Sequence, residues 1–554
     1  MSTTPAAEEV DHEDQPESTP LPRRFHLEQD TWWLLSGALA SVVVALVLFT
    51  RYSIYDWLTR DEAIYVYGGQ QMSHGVAPYA SILDPKGPIT TIFCGLGAGL
   101  ANLFGTGDIV TIRVVFLVIS VLCVLALYFV VVQLWRSVPA GVVGAVVFSS
   151  FETFAHDAIA GPDAKTPGIL FGLVAIWFAA RRKWFWAGFA GSLAALTWQP
   201  FFPFPLVALL APLVWTAGRE RLKAIGLAIA GLVAPFLALV VYFAAAGALG
   251  DFIDSAFVFP LRGVKRTPES VGHRIRRIIT VVNDSNHFSG SLLWIGLILL
   301  LLAAVATVVR SRAEWRQGVA SPFVLLVLVT GVLEVGYACY DFQGYPDVFP
   351  LMPYGAIGFG AAVAMALQFR PSPQLTQALT ATALVAATLL TVGSAVMFTR
   401  SDRNKDGLHN ERAAACAVRL SLVPGTPLYA MGDPIPLALM HRRNPDRYVY
   451  LGSGLDSWKV KHTKHGFAGW TQQVLDSHAS VIVLDVWRGP YRLPMQQFLV
   501  QHGYLHGYIG NWQVFVTPEA QALMVEQHIK LQDASRAWPS TATFRKFNPD
   551  FCNT

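Results

Sequence analysis

Charge is what this chain has little of: 14% of its 554 residues are Asp, Glu, Lys or Arg, against 53% hydrophobic, and the mean hydropathy is +0.43. That balance excludes a water-soluble fold of this size, because the apolar surface exceeds what such a fold can hide; it indicates a polytopic membrane protein. A net charge of only +4, with the positives scattered between apolar runs, gives no case for nucleic-acid binding. The five cysteines form neither a CxxC nor a metal-ligand spacing, and Cys416 and Cys552 in the tail read as free thiols before they read as a disulfide. No His/Asp/Glu spacing demands a metal, so no cofactor is obligatory and no metal ligand is assigned, although a divalent cation is compatible with the acidic loops. Glycine-rich phosphate loops are missing too, and the loops between apolar runs are too short for a nucleotide-sugar domain.

What is present is a series of apolar runs long enough to cross a bilayer, near 32–50, 110–135, 139–156, 168–180, 184–199, 203–217, 224–247, 291–309, 321–339, 350–368 and 377–398. Basic clusters fall between alternate pairs, at Arg136, Arg181 to Lys183, Arg219 to Lys223, Arg310 to Arg316 and Arg370, which places them on one side if the chain starts inside. That parity requires the short Gly-rich segment Ile89–Phe104 to be re-entrant or interfacial, packed through Gly95 and Gly99. The expected fold is therefore an all-α polytopic membrane protein of about 11 transmembrane helices, with a small C-terminal α/β extracytoplasmic domain. Residues 1–30 read as a disordered cytoplasmic tail without a visible signal peptide, 31–399 as the transmembrane part, and 400–554 as the outer domain. Strand-like runs at Pro427–Met431, Tyr448–Leu451, Val481–Asp485 and Gln513–Val516 alternate there with helix-length stretches, and support or acceptor binding is its expected task.

The chemistry-bearing residues gather in the outer loops. In the loop 51–88, Asp61 and Glu62 follow the first span by about ten residues, and an ionised acid there can take a proton from a hydroxyl as a bond forms to it. An ion pair with Arg51, Arg60 or Lys86 is the alternative for both. Lys86 sits in Asp84-Pro85-Lys86-Gly87-Pro88, where two prolines fix the backbone and aim an ammonium that can neutralise a leaving phosphate or, alternatively, snorkel to headgroups. The loop 157–167 adds Asp163 and Lys165, whose choices are sugar hydroxyls, a metal or each other. The long loop 248–290 carries Arg262, Lys265, Arg266, Arg274, Arg276 and Arg277, an outer positive cluster that either reverses the topology there or meets an anionic lipid-linked phosphate, the reading its length favours. Gln343 and Tyr345 stand at the outer end of a later span, and Glu334, a turn or two inside it, reads equally as structural or functional.

In this order the motifs resemble the type C glycosyltransferases, in the branch of the protein O-mannosyltransferases and the lipid A aminoarabinose transferases. The resemblance is clearest over residues 32–200: Arg60-Asp61-Glu62 looks like the family's first-loop acidic motif, and Gly75, Pro78 and Tyr79 like the turn beyond it. Asp84 to Pro88 is similar to the family's Lys-Pro-Pro segment, and Asp163 looks like its second-loop aspartate. Gly344 to Pro353 is similar to a later Tyr-containing motif, with Gln343 where a basic residue is usual. The resemblance implies a polyprenyl-phosphate-linked sugar as donor, transfer at the outer face with inversion, Asp61 as base and Lys86 at the donor phosphate.

The expected activity is thus that of a membrane glycosyltransferase, mannosyltransferase-like, with a hydroxyl of a protein, glycan or lipid as acceptor, in a multi-pass plasma-membrane protein with its N-terminus cytoplasmic. Asp61 and Glu62 are the candidate catalytic pair; Asp84, Lys86, Asp163, Lys165, Arg262, Arg266, Gln343 and Tyr345 are the candidate substrate contacts. A transporter or flippase of lipid-linked saccharides is the alternative; it would be expected to carry internal repeats and midplane charge, whereas here the charges gather at one face.

Overall fold

The computed structural model describes residues 27–264, 269–315, 324–368, 372–401, 405–484 and 487–533. Most of the tail expected at 1–30, together with Lys265, Arg266, Arg316, Arg370, Asp485 and Cys552, lies outside these residues.

The first apolar run folds as helix α1 (Leu27–Phe49), and the chain then turns through a loop into α2 (Arg60–Ser73). A capping box starts α2: the Thr59 hydroxyl accepts from the Glu62 amide at 3.3 Å while the Glu62 carboxylate accepts from the Thr59 amide at 3.2 Å, satisfying two otherwise orphaned donors. The Gly-rich segment forms α3 (Ile89–Phe104), packed on α2 and on α4 (Asp108–Trp135). Its close-approach residues are Gly95, where a Cβ would come within 2.7 Å of the Met72 sulfur, and Gly97 against Ile112; Gly99, expected to share this role, faces open space. Helices α5 (Val138–Ser149) and α6 (Glu152–Ala160) are bent by 73° at their junction.

A compact set follows: α7 (Lys165–Ala180), α8 (Trp184–Thr197), α9 (Pro203–Trp215) and α10 (Gly218–Ala245). Here α8 and α10 touch backbone to backbone, since a Cβ on Gly231 would lie 1.9 Å from the Phe185 carbonyl and one on Gly188 2.1 Å from that of Ala228. Most of the long loop is helical, as short α11 (Leu249–Ile253), α12 (Phe259–Arg262) and the start of α13 (Val271–Trp315), which breaks at His287. Helices α14 (Val329–Tyr340), α15 (Met352–Gln368) and α16 (Pro373–Ser401) complete the bundle, with a 3-10 turn over Tyr345–Leu351 leading into α15.

This is a multi-pass membrane fold. Among the described residues six helices are long and apolar enough to cross, seven if α5 and α6 count as one. Length alone supports fewer spans than the eleven expected, because α7, α8 and α9 have 16, 14 and 13 residues against the roughly 20 a span needs.

Beyond α16, helices α17 (Gly407–Leu420), α18 (Ile435–Met440), α19 (Leu455–His462), α20 (Gly466–Asp476), α21 (Arg492–Gln501) and α22 (Pro518–Glu526) surround one sheet. Strands β1 (Leu428–Met431), β2 (Val481–Leu484), β3 (Leu505–Ile509) and β4 (Trp512–Val516) are ordered β1-β2-β4-β3, with β1 parallel to β2 and the other pairs antiparallel. One face buries Val514 and Val516 against α17 and α22; the other buries Phe515 against Met495, Leu499 and Trp470. Tyr448–Leu451 is not a strand. Its Val449 carbonyl accepts from the Gly432 amide, and its Tyr448 and Tyr450 side chains join the cluster around Leu83.

Candidate active site

Two loops and the segment 448–451 of the C-terminal part converge on Asp61. At the first turn of α2, Asp61 is solvent-accessible. The surrounding protein pushes its carboxyl upward, but the charges of Lys86, Lys165 and Arg60 outweigh that penalty and hold it below the usual aspartate range. Lys86 is half-buried, and the surrounding protein disfavours its charge, yet Asp61, Asp84 and Asp163 keep it an ammonium well above the ordinary lysine range. Its Nζ donates to the Tyr65 hydroxyl at 2.5 Å and lies 5.0 Å from that ring's centroid.

The Lys86 backbone is fixed on every side. Its amide donates to Asp84 Oδ1 at 3.2 Å, its carbonyl accepts from the Tyr79 hydroxyl at 2.7 Å, and Gln199 Nε2 donates to the Pro85 carbonyl at 2.7 Å. Gly87 presses so closely on α8 that a Cβ would sit 1.8 Å from the Leu196 carbonyl oxygen, which explains the residue type after the lysine. Asp84 itself is buried, and burial raises its carboxyl despite the nearby Lys86.

Lys165 begins α7 and bridges two acids, with Nζ 3.6 Å from both Asp163 and Asp347 and 5.0 Å from the Trp198 ring centroid. Asp163 Oδ1 also accepts from the Lys165 amide at 2.6 Å. Beside this group, His156 stands between two carboxylates, 2.7 Å from Asp56 and 2.9 Å from Asp157, and Asp157 accepts from the Tyr345 hydroxyl at 3.4 Å. The loops holding Asp61 and Asp163 are thereby tied together.

The acidic pair divides. Glu62 is buried, with its carboxylate in the helix cap and 3.5 Å from Arg113. Burial, with Asp157 adding to it and Arg113 opposing, pushes Glu62 up to about 8. Arg113 donates to the carbonyls of Ile54, Asp56 and Trp57 at 2.7 to 2.9 Å, while Glu411 of α17 accepts from the Leu58 amide at 2.8 Å. Neither the ion pair with Arg60, Arg51 nor that with Lys86 is what holds Glu62; its partner is a residue of α4. Arg113 went unread in the sequence although it is a lone cation inside an apolar run, a pattern that signals a buried partner.

The remaining expected contacts scatter. Gln343 is exposed: its amide donates to Asp347 Oδ2 at 2.7 Å, its carbonyl accepts from Arg277 at 2.9 Å, and so its backbone braces the Tyr345 turn. Arg262 is exposed at the end of α12, whose Phe259 packs on Leu83; Arg266 lies outside the described residues. Arg274 is spent on the carbonyls that end α14, and Glu334 is buried in α14 with Oε1 unpaired among the described residues. Sequence reading also missed Tyr450, whose ring lies 5.3 Å from the Arg60 guanidinium and whose hydroxyl is pushed upward by burial, with the charge of Asp61 beside it. Among the described residues no group of three or more His, Cys, Asp or Glu could hold a metal ion.

An accessible acid thus lies among the charges of Lys86, Lys165 and Arg60, beside a helical membrane bundle and a small α/β part. Superposition on solved structures shows which known folds the chain shares. The chain matches the apo and undecaprenyl-phosphate-bound structures of ArnT from Cupriavidus metallidurans, each at TM-score 0.57, with 15% and 14% identity over 90% and 88% of this chain and 99% and 98% of theirs. It also matches the oligosaccharyltransferase AglB from Archaeoglobus fulgidus, solved with an inhibitory peptide and a dolichol-phosphate, at TM-score 0.50 and 11% identity over 82% of this chain and 70% of that one. In sequence it is 25% identical over 181 residues to a dolichol phosphate-mannose mannosyltransferase of Haloferax volcanii, 31% of this chain and 39% of that protein, so it spans about two fifths of that relative's length. No family model matches the chain.

Proposed function

We propose that this chain is an integral-membrane glycosyltransferase that moves a sugar from a polyprenyl-phosphate carrier to a hydroxyl acceptor with inversion. The observation that carries the reading is the accessible Asp61 carboxylate, held ionised by Lys86, Lys165 and Arg60. Asp61 takes the proton of the acceptor hydroxyl as its oxygen bonds to the anomeric carbon from the face opposite the carrier. The bond from that carbon to the phosphate oxygen breaks, and the electron pair leaves on the phosphate. Lys86 and Lys165 offset the growing charge there, positioned before the reaction by Tyr65, Asp163 and Asp347. Glu62 is assigned a supporting role through the α2 cap and Arg113.

The topology that serves this chemistry puts the N-terminus in the cytoplasm and the recess, with residues 407–533, outside the plasma membrane. The alternation of basic loops supports it, and eleven crossings follow if the short apolar helices also traverse. The undecaprenyl phosphate and dolichol-phosphate in the matched structures, and the peptide in one of them, support a lipid-phosphate donor and an outer acceptor for this chain as well. A transporter has no comparable support among the matched proteins.

The test supplies purified protein with a panel of polyprenyl-phosphate sugars and hydroxyl acceptors and follows release of the free carrier. Release that requires Asp61 is expected; no release from any donor in the panel overturns the proposal.

A further inference from the structure

A second site lies in the C-terminal part and shares no residue with the Asp61 recess. Between α21 and the outer strand β3 runs a cleft of about 350 Å³, lined by Leu493, Gln496, Gln497, Val500, Gln501, His506, Gln513 and Phe515. Four of these eight residues are glutamines and none carries a formal charge at neutral pH apart from any proton on His506. The arrangement follows from the sheet: β3 is the edge strand, so α21 covers the centre of this face, buries Gln513 of β4 at the floor and leaves His506 of β3 exposed.

The cleft floor is organised by hydrogen bonds. The Gln513 side-chain oxygen accepts from Gln496 at 2.9 Å and from Arg492 at 3.4 Å, while its Nε2 lies 2.6 Å from His506 Nε2. Behind it, Arg492 Nε is buried with no hydrogen-bond partner among the described residues. Leu493 and Val500, exposed on α21, supply apolar walls. Side-chain amides pair a donor with an acceptor at hydroxyl spacing, and aliphatic walls suit the C–H faces of a sugar ring. An anionic lipid or a basic peptide would want countercharges that this lining does not offer.

From this we infer that the cleft binds a neutral saccharide, as a docking subsite for a glycan-bearing acceptor. The acceptor role rests on the proposed transferase function, whereas the binding itself does not. A cleft of this volume, near the lower end of the roughly 300–1,000 Å³ range of ligand sites, takes one or two rings.

The test uses the full chain in detergent with Asp61→Asn, so that no turnover intervenes, and titrates mannotriose, maltotriose and chitotriose by saturation-transfer NMR. At least one is expected to bind, and Gln497→Ala and Val500→Trp, both at exposed positions, are each expected to weaken it tenfold or more. Gln513→Leu should do the same, but Gln513 is buried and its loss could disturb the fold, so the exposed variants decide. Absence of binding by all three sugars overturns the inference, as does binding that both exposed variants leave unchanged. If the wild-type protein releases no carrier yet binds sugar in this cleft, the transferase reading fails and the saccharide site stands.

Discussion

Adjacent acids of identical charge acquire opposite roles here because one opens to solvent among cations and the other is buried in a cap. Asp61→Asn keeps the shape and removes the base, so carrier release should fall at least ~100-fold while donor binding persists. Rate and binding measured on the same preparation check this, and full turnover would remove Asp61 from the mechanism. For Glu62 the sign follows from its proton. The folded chain holds that proton up to about pH 8, whereas an unfolded chain releases it near 4.5, so the folded state is the more protonated in between and Glu62 makes stability fall as pH rises across that window. Glu62→Gln should flatten the decline in melting temperature between those two pH values, and an unchanged slope would mean that the carboxyl is ionised in the fold. Asp61, Lys86, Asp163 and Lys165 were legible in the sequence because charges are rare in it. Arg113, Glu411 and Tyr450 were not, because the partners that explain Arg113 and Glu411 come from segments up to 353 residues away.

At the level of elements, backbone contact sets what can vary. Gly87→Ala must push the Lys86 loop off α8, because its Cβ would meet the Leu196 carbonyl; a cost of about 1–3 kcal/mol and a large loss of activity are expected together. A thermal melt with a parallel carrier-release assay checks it, and a fully active variant would show that the loop is free to move. Apolar runs located the helices well, since composition alone separates lipid-facing sequence from loops. Whether a 13- to 16-residue helix crosses was not legible, because length and packing decide that together. Strand β3 escaped notice because it lacks an apolar run: Leu505 and His506 are exposed and Gly507 carries no side chain. The signal was the turn after it, Gly510-Asn511, where Gly510 at φ 60° closes a two-residue hairpin with Ile509 opposite Trp512.

Across the whole molecule, the C-terminal part is joined to the bundle at the site itself. The Asn444 amide donates to the Tyr67 hydroxyl at 3.0 Å, Gln70 donates to the Ala438 carbonyl at 2.9 Å, and the Leu83 amide donates to the Arg447 carbonyl at 2.8 Å. Arg447 in turn pairs with Asp254 at 2.9 Å and with Asp251. Through Tyr450, whose ring faces the Arg60 guanidinium, this part also reaches the wall of the recess. Tyr450→Ala should lower kcat/KM for transfer about tenfold, whereas Tyr450→Phe keeps the ring against Arg60 and loses less; equal activity in both variants and wild type would exclude the ring from the wall.

The hydrogen bond from Gln70 to Ala438 reaches outward from the same helix whose first turn carries Asp61. Anyone seeking a minimal catalyst by cutting the chain after the last apolar helix would thus discard the clasp on that helix, and would recover an inserted but idle bundle.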